Sequence, residues 1–141
     1  MDRSRDLLPG QSLGPGDNLY SATRAFRLTL QGSDGRLALG VLDDRTLPKD
    51  SLDGQYMDFW QVGLVLSSGE FAHADMQEDG NFVLYETAGT ANVLWDSGTF
   101  GSPGAFLRCQ DDGNLVVYEA TGSIAIFASN TFAGFRAPDD R

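Results

Sequence analysis

One stretch decides the fold of this chain: Gln77-Glu78-Asp79-Gly80-Asn81-Phe82-Val83-Leu84-Tyr85, which returns as Gln110-Asp111-Asp112-Gly113-Asn114-Leu115-Val116-Val117-Tyr118. In both copies Gln, Asp, Asn, Val and Tyr stand at every second position. Successive side chains of a β-strand point to opposite faces, so in an extended conformation these five would share one face. The stretch therefore predicts a packing face and an opposite face of amide, carboxylate and phenol groups around one apolar patch.

A third, eroded copy precedes these two, and the three copies together predict an all-β domain. It reads Gln31-Gly32-Ser33-Asp34-Gly35-Arg36-Leu37-Ala38-Leu39. The Asp-Gly step, a signal for a two-residue hairpin turn, is present in all three copies. The copies recur at intervals typical of repeat architectures. Short antiparallel strands joined by glycine-rich turns predict an all-β domain with pseudo-threefold symmetry.

The repeats also define the expected organisation of the chain. We expect one domain over residues 1–141, with repeats at about 19–63, 64–100 and 101–132 and a tail at 132–141. The aromatic residues that follow the three copies, Trp60, Trp95 and Phe127, should meet near the symmetry axis. We expect residues 1–6 to be frayed and residues 7–13 to open a first strand. A polar insertion between Asp43 and Asp58 lengthens the first repeat.

Composition excludes several kinds of partner. The formal net charge of −10 argues against nucleic acid and anionic membrane surfaces, because both attract Lys and Arg patches. No segment approaches the roughly 20 apolar residues of a membrane helix, so we expect no membrane insertion. The first residues lack the apolar region of a signal peptide, which predicts a cytoplasmic or non-classically exported chain. Arg far outnumbers Lys, a bias typical of GC-rich bacterial genomes.

The polar face of the motif suits a sugar. Gln and Asn amides each offer a donor and an acceptor, an ionised Asp accepts, and a Tyr hydroxyl does either. Hydrogen bonds to the charged carboxylate are stronger than those between neutral groups. The Val side chain offers apolar contact to the ring carbons of the sugar. Such a site is shallow and wet, so we expect a dissociation constant on the order of millimolar. Useful avidity would require several sites presented together.

The pattern Gln-x-Asp-x-Asn-x-Val-x-Tyr resembles the signature of the bulb-type mannose-binding lectins of snowdrop and other monocots. The resemblance covers roughly residues 7–132 and includes Trp95-Asp96-Ser97-Gly98-Thr99 and Phe127-Ala128-Ser129-Asn130-Thr131 at the expected offset. It implies a β-prism II fold of three four-stranded antiparallel sheets. It also implies recognition of α-D-mannose and mannose-containing glycans without a metal or other cofactor. The arginine bias and the single Cys suggest a bacterial member.

The resemblance implies a role for each motif residue. Asp79 and Asn81 would hold the axial 2-hydroxyl, Gln77 the 3-hydroxyl, Tyr85 the 4-hydroxyl, and Val83 the ring carbons. The same roles in the next repeat would pass to Asp112, Asn114, Gln110, Tyr118 and Val116. A site built around the axial hydroxyl would prefer mannose to glucose, because its polar groups would stay unpaired without that hydroxyl.

The first repeat departs from the pattern. Aligned on the Asp-Gly step at Asp34, Arg36 replaces Asn, Ala38 replaces Val and Gly40 replaces Tyr, while Gln31 is displaced by one residue. The remaining groups, Gln31, Asp34 and Arg36, cannot reproduce the constellation. We interpret this repeat as structural, with a degenerate third site.

A purely structural turn and an enzyme are two alternative interpretations of the motif, and both explain fewer of its residues. Asp, Gly and Asn are turn formers, but a turn alone does not explain Gln and Tyr at fixed offsets. No catalytic or metal-binding residue is expected: Cys109 is alone and fits a small buried hydrophobe, and His73 is the single histidine. Adjacent carboxylates such as Glu78 and Asp79 would face opposite ways on a strand, so they cannot flank one bond as in a glycosidase.

The alternative function is a β-prism that acts as a protein-interaction or antibacterial (bacteriocin-like) module with little sugar binding. In bulb-type relatives, C-terminal strands are often exchanged between subunits. Residues 132–136 carry two aromatics near the terminus and could take that part, or could fold back on their own chain. We expect a homodimer through this C-terminal segment.

Overall fold

The fold is seen in a computed structural model that describes residues 2–43, 55–87 and 92–131. Every regular element in this part of the chain is a β-strand. The strands are β1 (Arg3–Ser4), β2 (Asp6–Leu7), β3 (Ser12–Leu13), β4 (Asn18–Tyr20), β5 (Phe26–Leu30), β6 (Leu37–Asp43), β7 (Gln55–Val62), β8 (Ala72–Met76), β9 (Phe82–Glu86), β10 (Asn92–Asp96), β11 (Phe106–Cys109), β12 (Leu115–Tyr118) and β13 (Ala125–Ala128). The same residues include no helix with the length and apolar content of a membrane span.

These strands form three sheets, which confirms the predicted all-β architecture. The strand orders are β1-β4-β5-β6-β7, β10-β9-β8-β3 and β13-β12-β11-β2. Neighbours pair antiparallel except β1, which runs parallel to β4 with Arg3 opposite Leu19. The first sheet therefore has five strands instead of the expected four, because the start of the chain adds β1 to its edge.

The N-terminal segment differs from its prediction in two ways. Residues 2–6 are not frayed, since β1 and β2 both pair within sheets. Residues 7–13 do not form one strand: β2 completes the sheet of the third repeat, and β3 completes that of the second. The chain passes between them through Gly10, whose φ of +87° is a left-handed conformation that favours glycine. Both short strands cover backbone groups of β11 and β8 that would otherwise lie at open sheet edges.

The core lies between the three sheets. Along β5 and β8 buried and half-buried residues alternate, as expected for strands with one packed face. Trp95 packs against both Trp60 and Phe127, with ring centroids 5.9 Å and 5.6 Å apart and near-perpendicular planes. This contact confirms that the three aromatics converge, one from each repeat. Edge-to-face pairs of this kind add about 0.5–1.5 kcal/mol each beyond their buried area.

Cys109 lies in this core, as the sequence predicts. It is fully buried, and its burial raises the pKa of the thiol to about 12. The thiol is therefore protonated at neutral pH and behaves as a small apolar group rather than as a nucleophile.

The polar insertion of the first repeat lengthens a hairpin. β6 and β7 pair from Leu37–Val62 to Asp43–Gln55, a longer ladder than those of the other repeats. Residues 55–58 thus belong to strand β7, while residues 44–54 lie outside the described residues.

Candidate functional site

Each motif folds as a hairpin turn followed by a strand, not as one extended strand. The backbone N–H of Gln77 donates to the carbonyl of Asn81 at 2.9 Å, and that of Gly80 donates to Gln77 at 3.1 Å. Three residues separate Gln77 from Asn81, so the expected two-residue turn is a three-residue loop that ends on Gly80 at φ +96°. This is the turn-plus-glycine geometry typical of three-residue hairpins.

The predicted shared face nevertheless survives the turn. Gln77 follows β8 and stands opposite Asn81 across the hairpin, and residues opposite each other in an antiparallel pair point to the same face. The third repeat has the same turn, with Gln110 N–H donating to Asn114 at 3.0 Å and Gly113 at φ +92°. Gln77 and Asn81 therefore lie on one face, as the strand argument predicts, although a hairpin turn and not one extended strand brings them together.

The Gln and Tyr of each motif are joined directly. Gln77 Nε2 donates to the hydroxyl of Tyr85, and Gln110 Nε2 donates to the hydroxyl of Tyr118. Each bond fixes the rotamer of two half-buried side chains. It leaves the amide oxygen of the Gln as an acceptor and the phenol proton as a donor.

The motif Asp supports its own turn. Asp79 Oδ1 accepts the backbone N–H of Asn81 at 2.9 Å, and Asp112 Oδ1 accepts that of Asn114 at 2.9 Å. Both carboxylates remain exposed. Each therefore has further acceptor capacity, at an oxygen that the turn already holds in place.

Asn81 is largely a structural residue. Its side chain is only 7% exposed, and its Oδ1 accepts from Ser97 Oγ at 3.1 Å and from the Thr99 N–H at 3.1 Å. Its Nδ2 donates to Asp96 Oδ2 at 3.1 Å, which leaves one N–H for a ligand. Ser97 and Thr99 were part of the resemblance, but their bonds to Asn81 were not predicted.

The corresponding Asn of the third repeat has a different neighbour. As in the second repeat, Asn114 Oδ1 accepts from the Ser at 3.1 Å (Ser129 Oγ) and from the N–H of the Thr two residues later, here Thr131 at 3.4 Å. It also accepts the Asn130 N–H at 2.9 Å. Ala128, however, stands opposite Val116 where Asp96 stands opposite Val83. The two sites share their framework but differ by one carboxylate beside the Asn amide.

The motif valines contribute little exposed surface. Val83 and Val116 are each 2% exposed, so they form the floor of the site rather than a broad contact for a sugar ring. The tyrosines extend this floor: Tyr85 stacks on His73 at a centroid distance of 5.3 Å, and Tyr118 stacks on Phe106 at 5.8 Å.

Two titratable residues close to the motifs, His73 and Asp111, have side-chain or backbone partners of their own. His73 Nδ1 lies 2.9 Å from Asp75 Oδ1, so the single histidine is partnered, as expected. Asp111 Oδ1 accepts the N–H and Oγ1 of Thr23 at 3.0 and 2.6 Å, and these bonds lower the pKa of its carboxyl. Asp111 is therefore ionised at neutral pH. Among the described residues no cluster of His, Cys, Asp and Glu could hold a metal ion.

The first repeat has the same hairpin pairing as the other two, but its polar side chains are bonded to one another. Gln31 N–H donates to the Arg36 carbonyl at 2.9 Å across a turn that is one residue longer, so Gln31 occupies the position of Gln77 despite its displacement in sequence. Its Nε2 donates to Asp58 Oδ2 at 3.3 Å, and the Arg36 guanidinium contacts Gln61 and lies 3.4 Å from Asp34. These groups pair with one another.

The tyrosine position of the first repeat is also closed. It is occupied by Gly40, where an added Cβ would lie 2.9 Å from Asp58 Oδ1 and 3.0 Å from the Met57 carbonyl oxygen. A larger side chain there would require strand β7 to move. The interpretation of this repeat as structural remains a prediction that these contacts favour.

Known structures resemble this chain over nearly its full described fold. A lectin of Marasmius oreades matches with a TM-score of 0.67 and 29% identity, over 93% of this chain and 97% of its own. A monomeric monocot mannose-binding lectin of Gastrodia elata matches with a TM-score of 0.66 and 27% identity, over 91% and 98%. The mannose-specific agglutinin of snowdrop (Galanthus nivalis), solved with methyl-α-D-mannoside, matches with a TM-score of 0.61 and 26% identity, over 85% and 97%.

No family model and no curated protein matches the sequence. The likeness to known proteins therefore rests on the structural matches, at 26–29% identity. The protein has the β-prism II fold of the bulb-type mannose-binding lectins and resembles that family over most of its length.

Proposed function

We propose that this protein is a metal-independent lectin that binds α-D-mannose and mannose-containing glycans at two sites, those of the second and third repeats. One observation carries the proposal: both repeats hold Gln, Asp, Asn and Tyr with the same internal hydrogen bonds. Turn formation alone requires neither the Gln–Tyr pair nor its repetition.

The prepared groups match the hydroxyls of a pyranose. In the second repeat, Asp79 accepts, Asn81 donates through its remaining N–H, Gln77 accepts through Oε1, and the Tyr85 hydroxyl donates. Because these groups are already held by one another, little side-chain entropy is lost when the sugar binds. The site is open to water and has a small apolar floor, which is consistent with an affinity on the order of millimolar.

We also propose that the protein is not an enzyme. The known structures it resembles are lectins. In the described residues the thiol of Cys109 is buried and protonated, and His73 is engaged by Asp75. The thiol is therefore no nucleophile, and the His73 ring contacts Asp75 and stacks on Tyr85.

Titration calorimetry with methyl-α-D-mannoside in EDTA tests the sugar proposal. We expect a stoichiometry near two per chain, with no heat from the α-glucoside. Tyr85→Phe and Tyr118→Phe each remove one hydroxyl and keep the stacked ring, so each should weaken its own site by about 1 kcal/mol, roughly fivefold. The double variant should weaken both sites.

Phe71→Ser serves as the matched control, because Phe71 is an exposed aromatic outside both motifs and its loss should leave the titration unchanged. A stoichiometry near three would show that the first repeat binds. Absence of heat with mannoside and with short mannans would reject the lectin proposal and leave a β-prism used for protein contacts.

A homodimer through the C-terminal segment remains a proposal as well. Residues 132–136, on which it rests, lie outside the described residues. The Gastrodia elata neighbour is a monomeric lectin, so this fold does not require a dimer.

A further inference from the structure

A cleft of about 310 Å³ adjoins the candidate site of the third repeat. Its lining includes Arg5, Ala22, Arg108, Asp111 and the motif residues Gln110 and Asp112. The last two belong to the proposed mannose site, so a ligand bound there would border the cleft directly.

Three separate segments build the cleft. The N-terminal segment forms one wall, where the Arg5 carbonyl accepts the Cys109 N–H at 2.9 Å. Arg108 is fixed from β11 by Asp6, which accepts from its Nε at 2.7 Å and its Nη2 at 3.1 Å. Ala22 supplies the third segment, next to Thr23, which donates two hydrogen bonds to Asp111.

The charges of the cleft favour a neutral ligand. Two guanidiniums, Arg5 and Arg108, line it, but both pair with Asp6 at 3.1 Å or less. Asp111 and Asp112 add two carboxylates, so negative groups outnumber positive ones once Asp6 is included. An anionic substituent would meet this negative excess. Hydroxyl groups, in contrast, could accept from the guanidinium N–H groups that Asp6 leaves free and donate to the carboxylates.

The second repeat lacks these cations. Gln11 holds the position of Arg5, because its carbonyl accepts the Met76 N–H at 2.9 Å just as Arg5 accepts that of Cys109. Asp75 holds the position of Arg108 and is engaged by His73. At two matched positions the third repeat thus has arginines where the second repeat has a glutamine and an aspartate.

We propose that this cleft is a subsite for a second, neutral hexose of a mannose oligosaccharide. It makes the third-repeat site an extended one, while the second-repeat site binds a single sugar unit. The inference rests on the proposed lectin function and deepens it.

The experiment compares α-linked mannobioses (1→2, 1→3 and 1→6) with methyl-α-D-mannoside by titration calorimetry. The second-repeat site is first disabled by Gln77→Ala with Tyr85→Phe. In this background at least one mannobiose should bind about threefold to tenfold tighter than the monosaccharide, as one or two added hydrogen bonds would give. Arg5→Gln, which installs the residue of the second repeat, should abolish that advantage and leave methyl-mannoside affinity unchanged.

The matched control places Arg5→Gln in a chain whose third-repeat site is disabled by Gln110→Ala with Tyr118→Phe. There the substitution should change neither ligand's affinity. Equal affinity for mono- and disaccharide at the third-repeat site, or an advantage that survives Arg5→Gln, would overturn the subsite. Tighter binding of a phosphorylated mannobiose would overturn its neutral character. If methyl-mannoside binds in neither background nor in the unmodified chain, the lectin proposal itself is rejected.

Discussion

At the scale of single residues, the two candidate sites are alike in their framework and unlike in their surroundings. Asn81 and Asn114 both use Oδ1 to hold the segment that follows the next strand. Asp96 then takes an N–H of Asn81, whereas Ala128 offers no acceptor side chain to Asn114. The motif Asn therefore lies beside a carboxylate in the second repeat and beside an alanine in the third.

This difference predicts unequal effects of one substitution. Asn81→Asp removes the bond to Asp96 and places two carboxylates side by side, whereas Asn114→Asp places its new carboxylate beside Ala128. We expect Asn81→Asp to reduce the free energy of unfolding by about 1–3 kcal/mol more than Asn114→Asp, because it loses a hydrogen bond and gains a like-charge contact. Urea unfolding at neutral pH measures both values.

The comparison has an internal control. Asp96→Ala makes the second repeat resemble the third, so Asn81→Asp in that background should cost no more than Asn114→Asp. Equal costs for the two substitutions in the otherwise natural chain would show that Asp96 does not act on Asn81 as the 3.1 Å contact indicates.

The sequence predicted which motif residues would lie together but not the hydrogen bonds that join them to other segments. Spacing was sufficient to select Gln77 and Tyr85, because a shared face follows from register alone. It could not show that the Asn81 oxygen is already occupied, since Ser97 and Thr99 come from the end of a different strand. The Ser-x-Thr that follows both Trp95 and Phe127, but not Trp60, was the signal that could have revealed this support.

At the scale of elements, the N-terminal segment is the part whose structure least resembles its prediction. Its residues carry no repeat motif, so nothing in the local pattern assigned β2 and β3 to different sheets. The assignment follows from a nonlocal need, since β8 and β11 each expose an edge that a short strand can cover. Leu7 and Leu13 are fully buried where these strands meet the core.

Two adjacent leucines, Leu7 and Leu8, test whether this segment is packed into the fold. Leu7 is fully buried and Leu8 is 47% exposed. We expect Leu7→Ala to lower the free energy of unfolding by about 2–5 kcal/mol, as for other buried Leu-to-Ala changes. Leu8→Ala should stay within about 0.5 kcal/mol, as expected for a surface position. Denaturant unfolding of both variants measures the contrast, and equal small effects would mean that the segment is frayed in solution.

At the scale of the whole molecule, three repeats share one core but carry different polar groups at their motif turns. Trp95 contacts the aromatics of both other repeats, so loss of any sheet would expose the axis. The first repeat therefore has a structural reason to persist while its polar groups pair among themselves. Because the packing face is separate from the polar face, we propose that the first repeat could lose its sugar site without cost to the fold.

The proposed homodimer belongs to this scale, because two weak sites per chain gain avidity when chains associate. We expect light scattering after size exclusion to give the mass of two chains at micromolar concentration, and one chain after truncation at Thr131. Each chain carries a net charge of −10, so added salt should strengthen association by screening repulsion between the subunits. Unchanged methyl-mannoside affinity of the truncated protein would serve as the control for its fold. A full-length monomer at all salt concentrations would contradict the dimer, and multivalency would then rest on the two sites of a single chain.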